Sequence, residues 1–261
     1  MIGGLPPLRD LLDPQPEGSP FVAGAVRIPF DQLESRPNEL GPRRAEVRVA
    51  DIEPYAHWAG EVLDRMGRRW SLASAQPASH PEPGRLWSSN AWLEAWLFSA
   101  PTVGMALDVA CGSGREAVAL AASGWRVTGV DHEPRALELG ADLQRRYAPN
   151  SPPIEWIAGD AVRLEDLVPG RTFDLVTIFR YLDRDLLGTV GDWLSPGGAL
   201  AVETFTEAHR DRFGKPKSPK HLLRSGELPT LLGGDLEVAR YEENEDENAC
   251  TARVIALKSR S

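Results

Sequence analysis

The chain has 261 residues, 42% hydrophobic and 26% charged, with a net charge of −9. That composition is of the soluble globular type, and the length suits one large domain or two smaller ones. The acidic balance argues against a basic nucleic-acid footprint, and no apolar run is long enough for a membrane span. The first residues, "MIGGLPPLRDLLDPQPEGSP", have neither a basic start nor an apolar core, so no secretory peptide is expected. Cys111 and Cys250, without such a signal, point to free thiols in a reducing cytoplasm. No His/Cys cluster has metal-ligand spacing, so no metal is expected.

In chain order, "FVAGAVRIPFDQLESRPNEL" (21–40) resembles the rhodanese-like domain, in which a strand and turn of the form G-A-x-x-I-P precede a helix; Gly24, Ala25, Ile28 and Pro29 match. The resemblance implies that "LLDPQP" (11–16) is the domain's earlier strand end and that "AEVRVADIEPYAHWAGEVLDRMG" (45–67) is its next strand, active loop and helix. The resemblance implies a small α/β domain over residues 1–75 whose active loop begins at about Asp51. Active members place a sulfur-carrying cysteine there. A carboxylate forms no persulfide, so the resemblance implies a domain without sulfurtransferase activity, kept as a packing partner, dimer surface or substrate lid. A small domain unrelated to rhodanese is the alternative. The Pro-, Ser- and Gly-rich stretch 76–85 reads as a linker.

From residue 86 the pattern changes. "LWSSNAWLEAWLFSA" (86–100) reads as an amphipathic helix, on which Trp87 and Asn90 are either ligand contacts or core. Then come a buried strand "GMALDVA", an Ala-rich helix "REAVALAAS", a strand "WRVTGV" and a helix "PRALELGADLQRRYA" that opens on proline. "IEWIAGD", "FDLVTIF" and "GALAVETF" are further strands. Strands alternating with helices predict a parallel sheet covered on both faces. The tail "LEVARYEENEDENACTARVIALKS" predicts an antiparallel hairpin, with the acidic run "EENEDEN" in its solvated turn. The expected fold is thus α/β: a Rossmann-like, seven-stranded, mostly parallel sheet with a C-terminal antiparallel hairpin over 86–261, preceded by the small N-terminal α/β domain.

The loop "ACGSG" follows the first strand of this region. Gly112 and Gly114 let backbone approach a ligand, the next helix points its N-terminus there, and Asp131 ends the second strand where a carboxylate can hold ribose hydroxyls. Glycines alone leave a dinucleotide and S-adenosylmethionine (SAM) both open, since Gly112-Ser113-Gly114-Arg115-Glu116-Ala117 also meets the dinucleotide pattern with Ala in third place. Asp108, four residues before Gly112, suits an ammonium and sulfonium better than a pyrophosphate.

The ordered set "LDVACGSG", Asp131, "GDA" (159–161), "FDLVTIF" and "LSPGGAL" resembles the class I SAM-dependent methyltransferases. Ala110 departs from the family's usual glycine. The resemblance implies that Asp108 faces the methionine amino group, and that Ala110, Cys111, Gly112, Ser113 and Gly114 form the loop around the methionine and ribose. It implies that Asp131 holds the ribose with His132 beside the adenine, that Asp160 and Ala161 contact the adenine, and that Phe179 closes the site near the methyl group. Cys111 is read as a small loop residue rather than a reactive thiol.

On the substrate side, Arg180, Tyr181 and Glu203 are candidates. Arg180 is either an anion holder or a salt-bridge partner, Tyr181 a pocket wall or core, and Glu203 a substrate contact or a structural hydrogen-bonding group. His209 is read as an exposed loop residue. The segment 206–220, with Lys215, Lys217 and Lys220, is read as a mobile cover or a solvated loop. Residues 203–243, with Leu223 to Leu228 as an L-x-x-G-E-L helix start, resemble the tellurite-resistance-type branch, which implies a soft small-molecule nucleophile. The expectation is a cytoplasmic enzyme, monomer or homodimer, using SAM on a small molecule by in-line methyl transfer, with no nucleic-acid or membrane partner. A SAM-sensing regulatory module and a protein or nucleic-acid methyltransferase are the alternatives. "FRYL" in place of an N/D-P-P-Y motif argues against base methylation.

Overall fold

The computed structural model describes residues 4–97 and 103–260. The chain separates into two compact units, Gly4–Ala91 and a second from Trp92 onward. The boundary lies beyond the stretch expected to be a linker. Residues 76–85 instead take part in the first unit: β6 (Pro77–Ala78) pairs antiparallel with β2 (Phe21–Val22), and Leu8 bridges Arg85. Their prolines suit an edge strand, where a missing N–H costs no ladder bond.

In the first unit, β1 (Leu11–Asp13), β3 (Ala25–Arg27), β4 (Val47–Ala50) and β5 (Trp70–Ala73) form a parallel sheet in the order β3-β1-β4-β5. The helix α1 (Tyr55–Arg65) contributes Ala56, Ala59, Val62 and Leu63 to a core shared with Leu12, Ile28, Leu33 and Val49. No α-helix follows Pro29. Two 3-10 turns, Phe30–Gln32 and Pro37–Glu39, stand there, the second opening on proline. Asp51 begins the loop between β4 and α1.

In the second unit the helix expected from residue 86 starts at Ala91: α2 spans Ala91–Leu97, and residues 98–100 of that expectation lie outside the described ones. Trp87 and Asn90 therefore precede the helix, and Trp87 is fully buried in the first unit beneath the Arg85 guanidinium, 5.0 Å from its ring. That is the core outcome for Trp87.

Seven strands then build one sheet. They are β7 (Met105–Val109), β8 (Arg126–Asp131), β9 (Glu155–Ala158), β10 (Phe173–Phe179), β11 (Leu194–Phe205), β12 (Leu236–Glu245) and β13 (Cys250–Lys258), in the order β12-β13-β11-β10-β7-β8-β9. β13 runs against the other six strands, so its pairings with β11 and β12 are antiparallel and the rest are parallel. The central β10 is a nearly continuous apolar run buried on both faces, as a covered parallel strand must be. The helices are α3 (Arg115–Ala122), α4 (Pro134–Tyr147), α5 (Leu164–Leu167), α6 (Arg184–Thr189), α7 (Glu207–Phe213) and α8 (Glu227–Thr230). Helix α3 buries four alanines and can approach the sheet closely because alanine is small and a strong helix former. Among the described residues no helix is long and apolar enough to cross a membrane.

Two local expectations need correction. The acidic run does not sit wholly in the turn: Glu242–Glu245 extend β12, and the turn is Asp246–Ala249, where the Asp246 carboxylate accepts the N–H groups of Asn248 and Ala249. Residues 206–220 are not a simple loop: Glu207–Phe213 form α7, because His209 and Phe213 provide an apolar face. Lys215, Lys217 and Lys220 are exposed.

Candidate functional site

Register brings the predicted residues to one edge. Val109 pairs with Val130 and with Ile178, Asp131 with Ala158, and Phe179 with Glu203. The carboxyl ends of β7, β8, β9, β10 and β11 therefore lie side by side, where open α/β sheets bind ligands.

The loop after β7 needs left-handed backbone at Ala110 (φ 54°), Gly112 (φ 53°) and Gly114 (φ 71°). Ala110 thus occupies a conformation that glycine adopts at no cost and alanine at about 1–2 kcal/mol. Gly114 has a second reason to lack a side chain. A Cβ there would stand 2.4 Å from Cη2 of Trp156. The same ring crosses Gly140 of α4 and Gly129 of β8, whose Cβ positions lie 2.8 and 3.0 Å from it. Trp156 thus fills a notch made by three glycines, and nothing in "IEWIAGD" read alone singles it out.

Asp131 is 7% exposed and already holds the loop: its Oδ2 accepts the Gly112 N–H at 2.7 Å and its Oδ1 the Glu133 N–H at 2.9 Å. The carboxylate is oriented before any ligand arrives. His132 beside it is exposed, with Nδ1 3.5 Å from Asp131 Oδ1. Asp160 is exposed and caps the short turn Ala161–Arg163 by accepting the Val162 N–H at 3.2 Å, while Ala161 is buried. Ser113 is half-buried in the loop.

Asp108 is 1% exposed. Its Oδ1 accepts the Thr177 hydroxyl at 2.9 Å, whereas Oδ2 is buried with no hydrogen-bond partner. Thr177 pairs with Asp108 across β7 and β10 and was not anticipated; a lone threonine inside the apolar run "FDLVTIF" was its only signal. Burial, with the Glu116 carboxylate adding to it, raises the Asp108 carboxyl well above the ordinary range. A buried carboxyl with one unused oxygen suits a cationic ligand group, and not a phosphate. Burial, with Asp108 and Asp131 nearby, likewise pushes the Cys111 thiol up, so it stays protonated. That agrees with reading Cys111 as a loop residue.

Of the residues expected to face a substrate, Arg180 is exposed and its backbone is left-handed (φ 58°). Among the described residues, Ala110 and Arg180 are the two non-glycine residues with positive φ. Tyr181 is half-buried, partly against the core, and burial with the Asp183 and Asp160 charges raises its phenol. The phenol therefore stays protonated. Phe179 is half-buried at the end of β10. Glu203 lies 3.8 Å from the Arg253 guanidinium, which pairs with Glu242 at 3.0 Å and lies 5.4 Å from the Trp92 ring. His209 is not an exposed loop residue. It is 7% exposed on α7, stacked on Phe205 at 4.1 Å, and its Nδ1 accepts the Cys250 N–H at 3.1 Å. Below the edge, Arg184 pairs with Glu227 at 2.7 Å and donates to the carbonyls of Lys220 and Leu222, which anchors the start of α8.

Residues 106–198 match the family described as a methyltransferase domain. An uncharacterised methyltransferase of Mycobacterium tuberculosis is 34% identical over 126 residues, 46% of this chain and 60% of the relative. The cypemycin N-terminal methyltransferase of a Streptomyces species is 33% identical over 138 residues, 49% of this chain and 53% of the relative. The chain thus spans little more than half the length of these relatives. The magnesium protoporphyrin IX methyltransferase of Synechocystis, solved with bound SAM, superposes with a TM-score of 0.51 at 17% identity over 64% of this chain and 77% of that one. At that identity the likeness concerns the fold.

Proposed function

We propose, from the premise that this chain carries a class I SAM-dependent methyltransferase domain, that it transfers the methyl group of SAM to a small-molecule nucleophile. The observation that carries the reading is the buried Asp108 carboxyl with its unused Oδ2, next to an Asp131 carboxylate oriented by two backbone N–H groups. Asp108 would hold the methionine ammonium, Asp131 the ribose hydroxyls, and Asp160 with Ala161 the adenine. Bound SAM supplies an electrophilic methyl on a sulfonium, which reacts by in-line displacement.

The protein's part is to align the acceptor and exclude water. Among Cys111, Tyr181 and Glu203, none is poised as a base: the thiol and phenol are held protonated, and Glu203 faces the Arg253 guanidinium. That favours an acceptor that arrives already nucleophilic, such as a thiolate or a soft anion, with exposed Arg180 as its counter-charge. The resemblance of residues 203–243 to the tellurite-resistance-type branch supports the same acceptor class. A terminal amine is the second reading, favoured by the relative named for methylating the N-terminus of cypemycin.

The N-terminal unit we infer to be a rhodanese-like domain without its sulfur carrier, supported by the parallel β1, β3, β4 and β5 and by Asp51 at the head of the β4–α1 loop. Calorimetric titration with SAM and release of S-adenosylhomocysteine from thiols, selenite, tellurite, phenols and amines test the proposal. Tight SAM binding with no release from any acceptor would overturn it in favour of a SAM-sensing module.

A further inference from the structure

Asp108 and Thr177 pair across β7 and β10, and both are closed to solvent, at 1% and 0% exposure. The two carboxyl oxygens of Asp108 differ. Oδ1 lies 2.9 Å from the Thr177 hydroxyl, whereas Oδ2 has no hydrogen-bond partner. The Thr177 hydroxyl has a second neighbour, the Leu107 carbonyl oxygen at 3.4 Å. A hydroxyl has one proton to give and lone pairs to receive, and it rotates to suit. With Asp108 ionised, the Thr177 O–H donates to Oδ1. With Asp108 protonated on Oδ1, the carboxyl donates to Thr177, and the Thr177 proton turns to Leu107. A proton on Oδ2 would meet no acceptor, so Oδ1 is the oxygen that carries it.

Thr177 thus serves either charge state of Asp108. Without a cation beside it, the carboxyl is held neutral. Burial disfavours the anion, and the charges acting on it from Glu116 of α3 and Asp131 of β8 are negative. Thr177 and the Ala117 N–H of α3 oppose them. Cys111, on the loop after β7, stays protonated and adds no charge.

We propose that Thr177 is a positioning residue for Asp108, through which SAM binding is coupled to release of a proton from Oδ1. The proposal rests on the reading that Asp108 holds the methionine ammonium. The incoming ammonium stabilises the anion, the Oδ1–H bond breaks, and the proton passes to solvent. The Thr177 hydroxyl then turns from Leu107 to Oδ1 and holds the carboxylate in place.

The test is calorimetric titration of the full chain with SAM in phosphate and in Tris at about pH 6.5, where an α-amino group keeps its proton. The difference in heat between the two buffers counts the protons. Release of about one proton per SAM bound is expected, with affinity rising by up to about tenfold per pH unit. Thr177→Val keeps the shape and removes the hydroxyl. It should weaken SAM binding about tenfold and move the rise in affinity to higher pH, and Thr177→Ser should restore both. SAM binding with no proton released by the wild-type protein would overturn the proposal, as would a folded Thr177→Val protein with wild-type affinity and pH profile. A protein that does not bind SAM overturns it together with the proposed function. Proton-coupled binding without methyl transfer to any acceptor supports it and overturns the proposed function alone.

Discussion

Replacing Gly114 by alanine separates two demands that the loop makes on one residue. The first is conformational: a Cβ at φ 71° costs about 1–2 kcal/mol. The second is steric, because that Cβ would stand 2.4 Å from Cη2 and 2.8 Å from Cζ3 of Trp156. The ring has little room to retreat, since Cβ positions on Gly140 and Gly129 would lie only 2.8 and 3.0 Å from it. Forcing extra volume into a packed site costs about 1–3 kcal/mol. The expected loss of stability is therefore about 2–5 kcal/mol. In a Trp156→Leu background the steric part disappears, and Gly114→Ala should cost only about the 1–2 kcal/mol of its backbone. Chemical denaturation of the two single variants and the double variant measures the coupling directly. An equal cost in both backgrounds would refute the notch, and a cost near zero in the wild-type background would refute both demands.

Asp131→Ala should weaken SAM binding by about a hundredfold, because a charged acceptor for the ribose is lost and the Gly112 N–H loses its partner; calorimetry reads it. Asp108→Asn should raise the stability of the ligand-free protein at pH 7 while weakening SAM binding. The folded carboxyl titrates above its unfolded value, so the native state binds the extra proton and stability falls as pH rises from the unfolded value through the folded one. The variant should lack that fall in a pH series of melting temperatures. Arg180→Gly should stabilise the fold by about 1 kcal/mol by relieving φ 58°, and should cut turnover far more than SAM affinity. Equal losses in turnover and affinity would assign Arg180 to the cofactor side.

What the sequence disclosed about the site came from local chemistry. "LDVACGSG", Asp131 and "GDA" are short stretches whose glycines and carboxylates declare a strand end and a turn, and register alone then aligns them. Three-dimensional partners were not legible. Thr177 meets Asp108 only because β10 pairs with β7, some 69 positions away in the chain. Trp156 looks like any strand tryptophan until three glycines from three elements surround it. His209 sits in a stretch rich in Arg, Lys and Pro, which reads as a solvated loop; aromatic neighbours at 205 and 213, at helical spacing, hold it inside. The misjudged linker has a similar cause. Proline and serine mark a segment without its own helix or strand period, yet such a segment can still pair along a sheet edge.

The two left-handed residues explain where the sheet opens. The pairing of β7 with β10 ends at Val109 and Ile178. Just beyond that point the Cys111 N–H bonds outward to Val130 O of β8 at 3.0 Å, and the Arg180 N–H bonds outward to Glu203 O of β11 at 2.8 Å. Each central strand thus passes its last hydrogen bond to its outer neighbour, and Ala110 and Arg180 supply the left-handed turns beside those bonds. Their strain, about 1–2 kcal/mol each, is offset by the outward hydrogen bonds. The gap falls where the strand order reverses, β8 and β9 lying on one side of β7 and β11 on the other side of β10. A ligand entering there meets the loop after β7 on one flank and Arg180 on the other. It is on this placement that the proposed function gives Arg180 the acceptor side of the reaction.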